Sequence, residues 1–170
     1  MFKTIIWATD GSETADKALA VAEEIADVHG SKLVAVHVTR VFEGGRYNGG
    51  TLFADDDDLR RKIRTQVDQL RSRGVDASLV LRTSAYEDAP HLICETAVER
   101  GADLIVVGTH GRGAIPSALF GGVAKQLGHI AACPVLIVPP AVQPSGIDKT
   151  GAGSRARHVV RTPSQGVSSL

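Results

Sequence analysis

DLIVVGTHGRGAIPSALFGGVAKQLGHIAACPVLIVP, residues 103–139, is the stretch that decides the fold. A short apolar run at 104–107 breaks into a turn studded with Gly108, Gly111 and Gly113, and a segment of helix length then leads to a second apolar run, Val135–Val138. Short runs that are apolar throughout fit strands covered on both faces. With a helix between them they form a strand, loop, helix, strand unit.

Glycine at such a turn has two readings. Lacking Cβ, it tolerates positive φ and lets backbone N–H groups approach a ligand closely, and those groups suit a phosphate at a helix N-terminus. Alternatively, the tight turn needs glycine for steric reasons alone. Gly121 and Gly122 fall inside the helical pattern that follows, where each costs about 1 kcal/mol relative to alanine. Close approach of a ligand is a reason to carry that cost. Neither standard phosphate loop fits: GxxxxGK[ST] is absent, and Gly111-Arg112-Gly113 meets Pro116 where GxGxxG needs its third glycine.

What is left is G-x2-G-x9-G at Gly108, Gly111 and Gly121. At these residues the chain resembles the universal stress protein family, whose nucleotide-binding members carry this spacing followed by Ser or Thr. ATDGS at residues 8–12 and CPVLIV at residues 133–138 resemble the same family, and the likeness extends over about residues 1–140. It implies a Rossmann-like α/β fold: a doubly wound, five-stranded parallel sheet of order 3-2-1-4-5 with helices on both faces. It also implies a stress-response switch or regulator, a homodimer joined through Val135–Val138, and a site for ATP, or for ADP, AMP or cyclic AMP, with Mg2+ accompanying the nucleotide. Carried onto this sequence, that site comprises Ala8, Thr9, Asp10, Val38, Gly108, His110, Gly111, Arg112, Gly113, Gly121, Gly122 and Val123. Asp10 would lie beside the ribose, phosphate or metal, and the Val38 backbone would hold adenine.

The chain departs from the pattern at Gly122, where ATP-binding members place Ser or Thr. The hydroxyl for a terminal phosphate is missing, while the backbone N–H remains. ATP is then held more weakly at its γ-phosphate, or AMP and ADP do nearly as well. The alternative is an interaction dimer of the same fold that binds no nucleotide.

The residues read by themselves leave roles open. Asp10 emerges at the carboxyl end of the first strand, where open parallel sheets bind ligands, or it caps its own turn before Gly11. Arg112 offers a fork that matches phosphate oxygens, or it is solvent-exposed; His110 sits beside phosphates or responds to pH. No nucleophile is paired with a base, so no catalytic residue is assigned, and the set suits binding better than turnover. Any ATP hydrolysis would be slow and incidental. An enzyme working on an ATP α-phosphate would want SGGxDS after the first strand, whereas residues 9–14 read TDGSET.

The remainder of the chain fits one domain with a tail. At 170 residues and 43% hydrophobic content it can bury a core. Its 19 basic residues balance 19 acidic ones, so no net field draws nucleic acid or an anionic membrane. No signal peptide or apolar stretch near the ~20 residues needed to cross a bilayer is present, which points to the cytoplasm. Strands are expected at 3–9, 32–38 and 75–82. A helix at 13–29 would be capped by Ser12, stopped by Gly30 and packed through Ala15, Ala18, Leu19, Ala22, Ile25 and Ala26; further helices are expected at 56–73 and 85–100, the last stopped by Gly101.

His37 reads as a core residue, and Cys94 and Cys133 as buried, inert thiols. Four carboxylates at 55–58 suit the positive end of a helix dipole better than a metal. The glycine-rich stretch 39–54 either closes over a nucleotide or is flexible filler. Residues 141–170 lack apolar periodicity and read as a disordered tail beyond a 1–140 domain.

Overall fold

The computed structural model describes residues 2–40, 54–84, 88–111 and 121–140. Along the chain these form β1 (Thr4–Ala8), α1 (Glu13–His29), β2 (Lys32–Arg40), α2 (Ala54–Ser72), β3 (Ala77–Ser84), α3 (Ala89–Glu99), β4 (Leu104–Gly108), α4 (Gly122–Ile130) and β5 (Val135–Val138). The five strands make one parallel sheet in the order β3-β2-β1-β4-β5. That is the order the family resemblance implies.

Alternation along the strands assigns side chains to two faces. Ile5 and Trp7 of β1 join Ala18 and Leu19 of α1 and Ile63, Val67 and Leu70 of α2 on one side. Ile6 and Ala8 join Ile93 and Ala97 of α3 and Ala124 and Leu127 of α4 on the other. All five residues of β1 and of β4 are buried, which accounts for their uninterrupted apolar character. Trp7, fully buried, donates its indole N–H to the Ala15 carbonyl at 2.9 Å and ties α1 to the sheet.

Capping chemistry fixes the helix ends. Ser12 caps α1 by accepting from the Ala15 N–H at 3.3 Å, and Gly30 closes it in the left-handed conformation with φ 62°. Where boundaries differ from the apolar pattern, a turn residue is responsible. Gly74, at φ 92°, lets the Val75 N–H bond the Leu70 carbonyl at 3.1 Å, so Val75 closes α2 and β3 starts only at Ala77. Pro90 lies in the first turn of α3, where its missing N–H costs nothing, so that helix starts at Ala89 rather than 85.

Gly121 and Gly122 need a larger correction. Neither lies inside a helix: Gly121 is the extended N-cap of α4 and Gly122 its first residue, so the penalty for an interior glycine does not apply. Of the glycine-rich stretch 39–54, residues 39 and 40 continue β2 and Ala54 begins α2, while 41–53 lie outside the described residues, as do 85–87 and the tail at 141–170.

Candidate functional site

The order β3-β2-β1-β4-β5 makes the chain leave β1 toward one side of the sheet and β4 toward the other. A crevice therefore opens beyond the carboxyl ends of β1 and β4, the place where doubly wound sheets hold ligands. The residues that follow these strands, Thr9 to Ser12 and Thr109 to Gly111, form its walls.

Glycines bring these walls into contact. A Cβ on Gly108 would stand 2.8 Å from the Thr14 carbonyl carbon, so β4 and the first turn of α1 approach to a distance only glycine permits. A Cβ on Gly111 would overlap the Asp10 carboxylate. The Gly121 N–H donates to the Thr109 carbonyl at 2.6 Å, and a Cβ there would lie 3.0 Å from that oxygen and 3.5 Å from the His110 Cα. Asp10, His110, Gly111 and Gly121, separated by up to 111 positions in the chain, thus meet at one point.

Hydroxyls latch the crevice together. Thr14 donates its Oγ1 hydroxyl to the His110 carbonyl, and Ser12 Oγ lies 3.4 Å from the same oxygen. His110 Nδ1 sits 3.0 Å from Thr109 Oγ1. The Ser12 N–H donates to Asp10 Oδ1 at 3.1 Å, the turn-capping bond expected of Asp before Gly. That bond uses one carboxylate oxygen, while the other faces Gly111.

Gly122 opens α4 with nothing within 4 Å of where its Cβ would be, and Gly121 supplies no side-chain cap. The first N–H groups of α4 lack intrahelical partners by construction. Val123, the second residue of α4, packs its side chain against the core. Ala8 and Thr9 are buried beneath the crevice, with the Thr9 N–H bonded to the Val36 carbonyl at 3.0 Å. Val38 lies on β2, two residues beyond the Val36 that pairs with Ala8, on the flank of the crevice. Arg112 and Gly113 are outside the described residues.

Other sequence expectations resolve around the site. His37 is buried, and its Nδ1 donates to the Thr9 carbonyl at 2.9 Å, so this core histidine supports the wall of the crevice without lining it. Cys94 and Cys133 are half-buried rather than buried. Burial foremost, then the neighbouring Cys133, pushes the Cys94 thiol up; burial foremost, then Asp103, does the same to Cys133. Neither is an activated nucleophile. In the acidic run, Asp58 pairs with Arg61 at 2.7 Å on the exposed face of α2. Among the described residues, no cluster of three or more His, Cys, Asp or Glu could hold a metal, and no helix is long and apolar enough to cross a membrane.

The universal stress protein family matches residues 1–139, the whole of the sheet and its helices. The chain belongs to that family. A universal stress protein of Thermus aquaticus is 36% identical over 141 residues, covering 81% of this chain and 99% of the relative. The crystal structure of a family member from Burkholderia pseudomallei aligns with a TM-score of 0.62 at 33% identity, over 81% of this chain and 96% of that one. Two further structures share the fold at 24% identity and 81% coverage of this chain: a universal stress protein in complex with cAMP, at a TM-score of 0.60 over 97% of its length, and one from Archaeoglobus fulgidus in complex with dAMP, at 0.58 over 98%.

Sequence reading missed the latch and the buttress of this universal stress protein's crevice. Thr14 on His110 and the bond from Lys62 of α2 to the Gly11 carbonyl join residues far apart in the chain. The small hydroxyl at the start of α1 was the available signal, and it read simply as a cap.

Proposed function

We propose that this universal stress protein binds an adenine nucleotide in the crevice beyond β1 and β4 and acts as a ligand-controlled switch in the cytoplasm. The observation that carries this reading is the convergence of Asp10, Gly111 and Gly121, where a Cβ on Gly111 would overlap the Asp10 carboxylate and one on Gly121 would press on the Thr109 carbonyl, beside a helix N-terminus with no side-chain cap. The Gly121 N–H is taken by the Thr109 carbonyl, so the N–H groups offered to phosphate are those that open α4 from Gly122 onward, which the missing side chains leave approachable. The cAMP and dAMP complexes of proteins with the same fold support adenine as the base.

Gly111, Gly121, Gly122 and Val123 would line the phosphate site, and Arg112 and Gly113 would serve the same phosphates; Asp10 would meet the ribose, or Mg2+ where the metal accompanies the nucleotide. Bound Mg2+ would neutralise phosphate charge next to that carboxylate. Ala8, Thr9 and Gly108 form the floor, Val38 lies toward the base, and His110 lies toward the phosphates. Because Gly122 supplies no hydroxyl, AMP, ADP and cyclic AMP are expected to bind about as well as ATP. The role is binding, with slow hydrolysis at most. The half-exposed Leu136 on edge strand β5 supports pairing of two copies through Val135–Val138.

Isothermal titration with Mg-ATP, ADP, AMP and cyclic AMP, repeated on Gly121→Val, tests the reading. Valine at 121 would push against the Thr109 carbonyl and fill the crevice. Saturable binding that the variant abolishes is the expected result. Absence of heat with every ligand at high micromolar protein would overturn it and favour an interaction dimer that needs no nucleotide.

A further inference from the structure

Helix α2 sits against the turn that carries Asp10. Leu59, buried, places its Cδ1 where a Cβ on Gly11 would be, so a larger residue would have to displace that side chain, and Gly11 adopts φ 73°, which disfavours any residue with a Cβ. One helical turn on, the Lys62 ammonium donates to the Gly11 carbonyl at 2.8 Å and to Asp16 Oδ2 at 2.7 Å. Gln66 completes the row by donating to Asp16 Oδ1 at 2.8 Å. Leu59, Lys62 and Gln66 recur at the spacing of one helix face.

The Gly11 carbonyl and the Ser12 N–H belong to the same planar peptide unit and cannot rotate independently. The oxygen end of that plane is held by Lys62, and the N–H end donates to Asp10 Oδ1 at 3.1 Å. An ammonium on the carbonyl also polarises the plane and strengthens its N–H as a donor. The chain of contacts therefore runs from Lys62 through one rigid unit to the carboxylate that faces Gly111. We propose that Lys62 is a positioning residue for Asp10, setting the orientation of its carboxylate in the crevice from 52 residues away in the chain.

The ion pair with Asp16 is not the operative part. Its side chains are 42% and 34% exposed, and exposed pairs of this kind contribute little. The bond to the Gly11 carbonyl, charge-assisted and fixed at one end to a turn, matters more.

This inference rests on the nucleotide reading for its functional consequence, but the geometric core can be tested without ligand. The variants are Lys62→Met, which keeps the stem and removes the donor, Lys62→Arg, Asp16→Asn, and Lys17→Met as a control on an exposed pair elsewhere on α1. Two quantities are measured on the full chain: hydrogen exchange of the Ser12 amide without nucleotide, and the dissociation constant for AMP. Lys62→Met should speed Ser12 exchange about tenfold and weaken AMP about three- to tenfold, the range expected for one charge-assisted bond acting indirectly. Lys62→Arg should recover most of both, and Asp16→Asn and Lys17→Met should stay within about twofold of wild type.

Ser12 exchange within twofold of wild type in Lys62→Met overturns the proposal, as does unchanged AMP affinity alongside faster exchange. A wild type that binds no nucleotide defeats the proposed function instead; Ser12 exchange then still decides whether Lys62 holds the turn.

Discussion

Replacing Gly108 by alanine tests whether the contact between β4 and α1 is as close as the crevice requires. The added Cβ would lie 2.8 Å from the Thr14 carbonyl carbon, 2.9 Å from its oxygen and 3.1 Å from the Ala15 nitrogen. All three are backbone atoms, so no rotamer change relieves the overlap. Carbon atoms prefer about 3.5–4.0 Å, which asks the first turn of α1 to retreat by roughly 0.5–1 Å. That turn is tied down by the Ser12 cap, the Thr14 hydroxyl on the His110 carbonyl and the Trp7 indole on the Ala15 carbonyl. Overpacking against a restrained element costs about 1–3 kcal/mol, which at this chain length lowers Tm by roughly 3–10 °C. Gly122→Ala is the contrast, because its Cβ meets nothing within 4 Å at the first residue of α4. It should leave stability unchanged or, by restricting the unfolded chain, raise it by up to about 1 kcal/mol. Urea unfolding followed by the fluorescence of the single tryptophan measures both. A Gly108→Ala loss below about 0.5 kcal/mol, or an equal loss in Gly122→Ala, would refute the claim that close approach and not helix propensity sets these glycines.

Trp7→Phe, which removes the single tryptophan and so is followed by far-UV circular dichroism in urea, should lose about 1–3 kcal/mol, since it deletes the 2.9 Å indole bond and leaves a void in a fully buried position. The thiols give a pH test with a definite sign. Both Cys94 and Cys133 are raised in the fold by burial first, so the neutral form is favoured there. Their contribution to stability is complete below the ordinary thiol value of 9.0 and is lost as pH climbs through the higher folded values. Stability should fall on this account only above about pH 9. Iodoacetamide at pH 8 should accordingly alkylate the native chain more slowly than the urea-unfolded one, as read by mass spectrometry; equal rates would contradict the burial.

Local signals were sufficient for most of the framework. The apolar runs at β1, β2, β4 and β5, Ser12 before α1 and Gly30 after it could be read directly, because caps and buried strands depend on neighbours a few residues away. The strand order came from the family resemblance carried by Gly108, Gly111 and Gly121 and agrees with the structure. Val75 was misread because its apolarity serves the end of α2, and Gly121 because a helical pattern does not show where a helix begins.

The amino-acid sequence by itself determined which segments are strands and helices, that the fold is a parallel α/β domain, and which glycines gather at one turn. Tertiary structure decided what those glycines make room for: a Cβ would meet the Thr14 backbone at Gly108, displace the Asp10 carboxylate at Gly111 and press on the Thr109 carbonyl at Gly121. It alone brought Lys62 to the Gly11 carbonyl. Contacts between residues 50 or more positions apart leave no periodic trace in the chain, because they are set by how α2 packs on the sheet and not by any preference of the residues themselves.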